Sequence, residues 1–275
     1  KLNECLGKTG TFGQVYKGTW SLSVVAVKVF RFTNLDPQYI RIARKEAEVM
    51  QKLMHPNIIQ FFGVVTKSSP LMIVMELAEC SLDDVLYHSE INIPMSARYD
   101  ILTGITGAVD YIHTRNVLHR DLKSMNVLMK KKTIFVRDNF KLTDFGLSYN
   151  ADSSGSTANL SRMGAAGTFA WMSPEQTEVG FVYVSNTEIY SLGVLFYEVL
   201  SRKLPYEGMN NKKITVSTLQ YKTPNDIYPV SSEVNSEVVQ LMYDCWKSDV
   251  SKRPTAKEIW NKINEISLQN PQNLS

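Results

Sequence analysis

Leu118-His119-Arg120-Asp121-Leu122-Lys123-Ser124-Met125-Asn126 is the stretch around which this 275-residue chain is organised. Apolar runs flank it, Val117-Leu118 before and Val127-Leu128-Met129 after, which predicts a loop slung between two short buried strands. The loop gathers an imidazole, a carboxylate, an ammonium and an amide. Asp121 can accept the proton of a hydroxyl, and Lys123 can neutralise negative charge that builds on a group in transfer. Asn126 offers an amide oxygen to a hard cation such as Mg²⁺, which prefers oxygen ligands.

Composition narrows the setting. Hydrophobic residues make up 44% and charged residues 21%, as in ordinary globular proteins, and the length is enough for a sizeable core. A net charge of +3 gives no electrostatic case for nucleic acid or an anionic membrane as partner. Cys5, Cys80 and Cys245 are few, odd in number and far apart. They suit a reducing, cytoplasmic compartment and offer no metal spacing. The most apolar run, 190–200, contains Glu198 and is too short to cross a bilayer. The chain opens on Lys1 inside what reads as a strand, with no initiator Met, so the expectation is a domain excised from a longer protein.

Residues 5–30 read as two or three strands around a turn punctuated by Gly7, Gly10 and Gly13. Such a hairpin lets backbone approach phosphates closely. Lys28 closes the apolar strand Val25-Ala26-Val27-Lys28. Asp36 is a good helix N-cap with Pro37 at the first helical position, and apolar periodicity runs from Ile40 to Met54. Ile42, Glu46, Met50 and Leu53 share one stripe, whereas Glu48 falls on the solvated face. A carboxylate in an apolar stripe is costly unless paired, and Lys28 is the natural partner of Glu46.

His55-Pro56-Asn57 ends that pattern, strands follow over 58–65 and 71–77, and Ser81 opens an S-x-x-D capping box with Asp84. An amphipathic helix over about 96–114 leads into the 118–126 loop. Lys130-Lys131-Lys132 reads as a solubilising hairpin insertion, and Asp144-Phe145-Gly146 lies 23 residues beyond Asp121. Residues 151–162 are small, hydroxyl-rich and aperiodic.

HRDLKSMN, VAVK at 25–28, the stripe carboxylate Glu46 and DFG at 144–146, taken together and in order, resemble the protein-kinase superfamily over essentially the whole chain. The resemblance implies an α+β, bilobal fold forming one domain. Its β-rich N-lobe with one helix covers about 1–75, the hinge about 76–80 and the mainly helical C-lobe about 81–268, with a frayed tail at 269–275. It also implies ATP and Mg²⁺. Gly7, Gly10, Gly13, Val15, Ala26, Lys28, Met75, Glu76, Ala78 and Leu128 would border the nucleotide, with Met75 as gatekeeper. Asn126 and Asp144 would hold the metal, Asp121 and Lys123 would serve the transfer, and Glu46 would position Lys28. Phe145 would pack beneath the Glu46 helix. In the activation segment, closed by Ser173-Pro174-Glu175, Ser153, Ser154, Ser156, Thr157 and Ser161 would be phosphosites read by Arg120, and Thr168 would lie near Asp121. Arg253 would pair with Glu175.

Lys123 and Gly167-Thr168-Phe169-Ala170-Trp171-Met172 resemble the tyrosine-kinase-like group, of mixed-lineage and receptor-interacting type, which implies protein serine/threonine substrates. SNTEIYSLGVLFYEVL, the SPE ending, VAVKVF and IVMELAECSL resemble the mixed-lineage kinase domain-like protein of necroptosis, which implies the alternative of a nucleotide-binding switch or scaffold. Two positions depart from the kinase pattern: the glycines run G-x-x-G-x-x-G, and Glu188 stands where kinases generally place Asp to hold the catalytic loop. A Rossmann-type oxidoreductase would need a βαβ unit after the glycines, whereas VVAVKVF continues in strand. Regulatory proteins would bind through regions outside this chain.

Overall fold

The computed structural model describes residues 2–10, 13–30, 37–66, 70–150 and 169–269. Strands β1 (Leu2–Gly10), β2 (Gly13–Trp20) and β3 (Ser23–Val29) run antiparallel in succession. Helix α1 (Pro37–Gln51) follows, then β4 (Phe61–Val65) and β5 (Met72–Met75), giving one five-stranded sheet of order β1-β2-β3-β5-β4. Strand alternation sorts β3 between two cores. Val25, Val27 and Val29 join Val74 on one face, while Ala26 and Phe30 turn toward the main apolar cluster. Ala43, Glu46, Ala47 and Met50 form the buried stripe of α1.

The rest of the molecule is mainly helical. After the two-residue strand β6 (Cys80–Ser81) come α2 (Leu82–Tyr87) and α3 (Met95–His113). Ser81 caps α2 in a reciprocal box: Asp84 N–H donates to Ser81 Oγ at 3.1 Å, and Ser81 N–H donates to Asp84 Oδ2 at 2.8 Å. Short strands β7 (Val117–Leu118), β8 (Val127–Met129), β9 (Phe140–Leu142) and β10 (Tyr149–Asn150) bracket the loop region. Helices α4 (Ser185–Ser201), α5 (Asn211–Leu219), α6 (Pro224–Ile227), α7 (Ser236–Cys245) and α8 (Ala256–Gln269) complete the described chain. The architecture is α+β and bilobal, a β-rich N-lobe on a helical C-lobe. No helix among the described residues is long and apolar enough to cross a membrane.

Four expectations need correcting. The strand expected over 58–65 starts at Phe61, because residues 57–59 pair with the other lobe instead. Leu142 N–H donates to Asn57 O at 2.8 Å, and Ile59 N–H donates to Leu142 O at 2.9 Å. Its partner, expected over 71–77, is confined to Met72–Met75. Helix α1 stops at Gln51, where Lys52 and Leu53 close tighter bonds to Val49 O and Met50 O; Met54 beyond them is 76% exposed. Helix α3 is not amphipathic, since none of its residues is exposed. Packing between α8 and α4 covers the faces that a two-sided pattern would have left wet.

Candidate active site

Lys28 sits on the inner face of β3 with its ammonium 5.3 Å from the Phe30 ring centroid. It donates to Glu46 Oε1 and Oε2 at 2.7 and 2.9 Å and to Asp144 Oδ1 at 2.9 Å. Burial on its own would favour neutral lysine, but the charges of Asp144 and Glu46 outweigh it and raise the Lys28 pKa. Glu46 moves upward through burial, against the pull of Lys28. Asp144 moves downward, chiefly through the Lys28 charge. Two successive elements, β3 and α1, and the distant turn after β9 are thus fastened at one ammonium.

Asp144 holds left-handed backbone (φ 63°, ψ 67°), an orientation Asp tolerates better than most residues, and its side chain remains 42% exposed. Phe145 beside it is buried, with its ring edge-on to His119 at 4.9 Å. Gly146 lies close to the same carboxylates: a Cβ there would sit 3.2 Å from Glu46 Oε2 and 3.4 Å from Asp144 Oδ1.

The 118–126 loop is bonded at nearly every residue. His119 is fully buried and its Nε2 meets Thr143 O at 2.8 Å. Lys123 donates to Asp121 Oδ1 at 2.9 Å, and Asn126 Nδ2 donates to Asp121 Oδ2 at 2.8 Å and Asp121 O at 2.7 Å. Lys123 thus ion-pairs the Asp121 carboxylate while Asn126, a neutral amide, aims it by hydrogen bonds.

Glu188, the departure from the expected Asp, does reach the loop. It is fully buried on α4, and one oxygen accepts the Arg120 backbone N–H while the other meets His113 Nε2 at 2.7 Å. Burial opposes its ionisation, but the bond and charge of His113, with the Arg120 amide, hold its pKa below the usual range.

Val15, Ala26, Met75 and Leu128 all pack in the main apolar cluster. In the sheet, Ala26 is the cross-strand partner of Met75 and Val15 that of Lys28. Glu76 spends its amide on Gln60 O at 2.8 Å. Ala78 follows in the irregular segment before β6. Gly7 and Gly10 lie in β1, and Gly10 pairs with Gly13 across the hairpin. Gly13 is required for packing: a Cβ would fall 2.5 Å from Val29 O on the neighbouring strand. Ser153, Ser154, Ser156, Thr157, Ser161 and Thr168 lie outside the described residues, as do Asp36 and the tail beyond Gln269. Arg253 meets Glu175 as expected.

The donor set suits a hard cation. Asp144 commits one oxygen to Lys28 while staying partly exposed, and Asn126 turns its nitrogen to Asp121, which leaves an oxygen on each for a metal. Among the described residues no group of three or more His, Cys, Asp or Glu could hold an ion alone. The free oxygens of Asp144 and Asn126 fit Mg²⁺, which takes one or two protein oxygens and fills the rest with water and phosphate.

Two residues of this region were not legible as site residues. Glu198 is a charge inside the most apolar run, where burial demands partners for a carboxylate just as it does for Glu46. His113 gave no signal, being a histidine near a helix end.

A family model described as "Protein kinase domain" matches residues 1–263. Curated proteins similar to this chain include a serine/threonine-protein kinase/receptor named R831 of Acanthamoeba polyphaga mimivirus, 32% identical over 97% of this chain and 16% of its own length. Arabidopsis thaliana serine/threonine-protein kinase STY46 is 30% identical over 95% of this chain and 43% of its own. Gallus gallus ephrin type-B receptor 1 is 32% identical over 100% of this chain and 27% of its own. The chain thus spans between 16% and 43% of the length of these relatives.

Proposed function

The chain belongs to the protein kinase domain family, and we propose that it is an ATP- and Mg²⁺-dependent protein serine/threonine kinase domain, a single unit with its N-lobe to about 75, hinge at 76–80 and C-lobe at 81–268. The observation that carries this reading is Asp121 held by both Lys123 and Asn126 while Lys28 bridges Glu46 and Asp144. Asp121 orients the substrate hydroxyl and accepts its proton as the hydroxyl oxygen bonds to the γ-phosphorus and the bond to the β-phosphate oxygen breaks. Lys123 and Lys28 stabilise the phosphate charge, and Glu46 keeps Lys28 in place. Asn126 and Asp144 hold Mg²⁺, which supplies charge neutralisation on the phosphates.

Gly7, Gly10 and Gly13 cover the nucleotide, with Val15, Ala26, Met75 and Leu128 around the adenine. The Glu76 carbonyl and Ala78 backbone read its edge, since the Glu76 amide is already taken. Phosphorylation within 153–168, captured by Arg120, regulates the domain. The names of the mimivirus and Arabidopsis relatives, together with Lys123, favour hydroxyls of serine and threonine; placement in the tyrosine-kinase-like group rests on Lys123 and the sequence of residues 167–172 alone. Protein substrates and regulatory partners met in the cytoplasm complete the reading.

The test is transfer from γ-labelled ATP with Mg²⁺ to the chain itself and to a generic basic protein, beside Asp121→Asn. Transfer that disappears in the variant is the expected result. Nucleotide binding without transfer under any metal condition would sink the proposal.

A further inference from the structure

Glu188 and Glu198 stand ten residues apart on α4, about 15 Å along the helix axis. Both are fully buried, and both accept a backbone N–H from the same loop. Glu188 takes that of Arg120, just before Asp121. Glu198 takes that of Ser124, just after Lys123, at 3.1 Å. The site described above uses the first of these carboxylates and leaves the second without a role.

The surroundings of Glu198 are fully committed. Its Oε2 accepts the Ser124 amide and, at 2.8 Å, the indole N–H of Trp171. Its Oε1 accepts two hydroxyls, Ser124 Oγ and, at 2.8 Å, Tyr87. Four donors from α2, the loop and the turn before Ser173 therefore converge on one side chain. Trp171 is tied to α4 a second time, because Ser191 Oγ donates to its carbonyl at 2.7 Å.

We propose that Glu198 is a positioning residue, the second anchor of the catalytic loop: through Ser124 it fixes Lys123 and Asn126, and through Trp171 it joins the loop to the segment ending in Ser173-Pro174-Glu175. The kinetic part of this proposal rests on the kinase reading; the anchoring itself does not. Two anchors are needed for a physical reason. Glu188 holds the loop only at Arg120, whereas Ser124 lies between Lys123 and Asn126, the two residues that bond Asp121, and a shift of about 1 Å in a reacting group can lower a rate by about 10²-fold.

The division of donors sets the test. The pair at Oε2 are N–H groups, which can only donate, whereas the pair at Oε1 are hydroxyls, which can also accept. Glu198→Gln can put its carbonyl toward the N–H pair and its amide toward the hydroxyls, with the Tyr87 proton passing to Lys203 O, already 3.2 Å away. Glu198→Met keeps the bulk and removes every acceptor.

The experiment measures amide hydrogen exchange across residues 119–126 together with steady-state kinetics for wild type and both variants. In wild type the Ser124 amide, whose acceptor is a side chain, should be protected relative to that of the exposed Met125. Glu198→Gln should keep that protection and most of kcat. Glu198→Met should speed exchange at Ser124 by about tenfold or more, leave Arg120 protected, and lower kcat by at least about tenfold with little change in KM for ATP. Equal exchange at Ser124 and Met125 in wild type would overturn the anchor even if the Met variant does not fold. So would an unchanged kcat in a folded Glu198→Met. If wild type transfers no phosphate, the kinase reading fails by itself, and the exchange measurements still decide the anchor.

Discussion

Arg253 and Glu175 meet in a two-pronged ion pair, Nη1 to Oε1 at 2.6 Å and Nη2 to Oε2 at 2.9 Å, with the guanidinium wholly out of solvent. Two further donors are used: Nε reaches Lys247 O at 2.9 Å and Nη1 reaches Asn186 O at 3.2 Å. One side chain thereby locks the Ser173-Pro174-Glu175 turn to α4 and to the turn before α8.

Removing one partner of such a pair strands the other. Arg253→Ala should destabilise the fold by about 3–5 kcal/mol, read as a lower urea midpoint. Arg253→Lys should recover little of it, because a point charge cannot replace a planar fork. An unaltered midpoint in the Ala variant would refute the structural role given to this bridge.

Lys28 divides its ammonium between Glu46 and Asp144. Without Glu46 the lysine keeps only Asp144, the carboxylate assigned to the metal, and competes for it. Glu46→Ala should therefore raise the Mg²⁺ concentration for half-maximal transfer several-fold, in addition to lowering kcat. A metal titration of the variant superimposing on wild type would contradict this coupling.

Gly13 is set by the strand next to it rather than by a ligand. Gly13→Ala would force the β2–β3 pair apart at Val29 O and should cost about 1–3 kcal/mol of stability without any nucleotide present. Thermal unfolding of the nucleotide-free chain checks it; an effect seen only with ATP bound would return the glycine to a purely phosphate-facing role.

Burial pushes the Glu198 carboxyl up to about 7, against the bonds from Ser124, Trp171 and Tyr87. Between its ordinary 4.5 and about 7 the folded chain therefore holds a proton that the unfolded chain has lost. By linkage, the contribution of this group to stability falls as pH rises through that window. Glu188 has the opposite sign: its depressed pKa gives stability present above 4.5 and lost as pH falls through its folded value. Urea midpoints at pH 5 and 7.5 should show a steeper decline for wild type than for Glu198→Gln, which has nothing to titrate. Parallel profiles would mean that Glu198 titrates normally.

Much of the site could be read from the sequence, because its residues sit in runs where neighbours along the chain do the work. Asp121, Lys123 and Asn126 lie within six positions, so their mutual bonding is local. Glu46 stood out since a carboxylate in a buried helical stripe demands a cation, and Lys28, which by itself could have been a solvated strand end, became its natural partner. The Ser81 box, the β-hairpin at the glycines and the start of α1 at Pro37 likewise follow from short-range chemistry.

Other features were decided by tertiary structure alone. The strand at 58–65 was shortened because Asn57, Ile58 and Ile59 found partners at Leu142, more than eighty residues away. Helix α3 lost its wet face because helices on either side of it covered what periodicity would have exposed. Whether Glu188 could stand in for Asp turned on where α4 lies relative to Arg120, and that distance accommodates the longer side chain. The convergence of Tyr87, Ser124 and Trp171 on Glu198 is of the same kind: each residue is unremarkable in its own segment, and only packing brings four donors to one buried carboxylate. Local pattern fixes which groups must be satisfied. The folded chain fixes which partners satisfy them, because buried polar groups take acceptors from whatever element packs beside them.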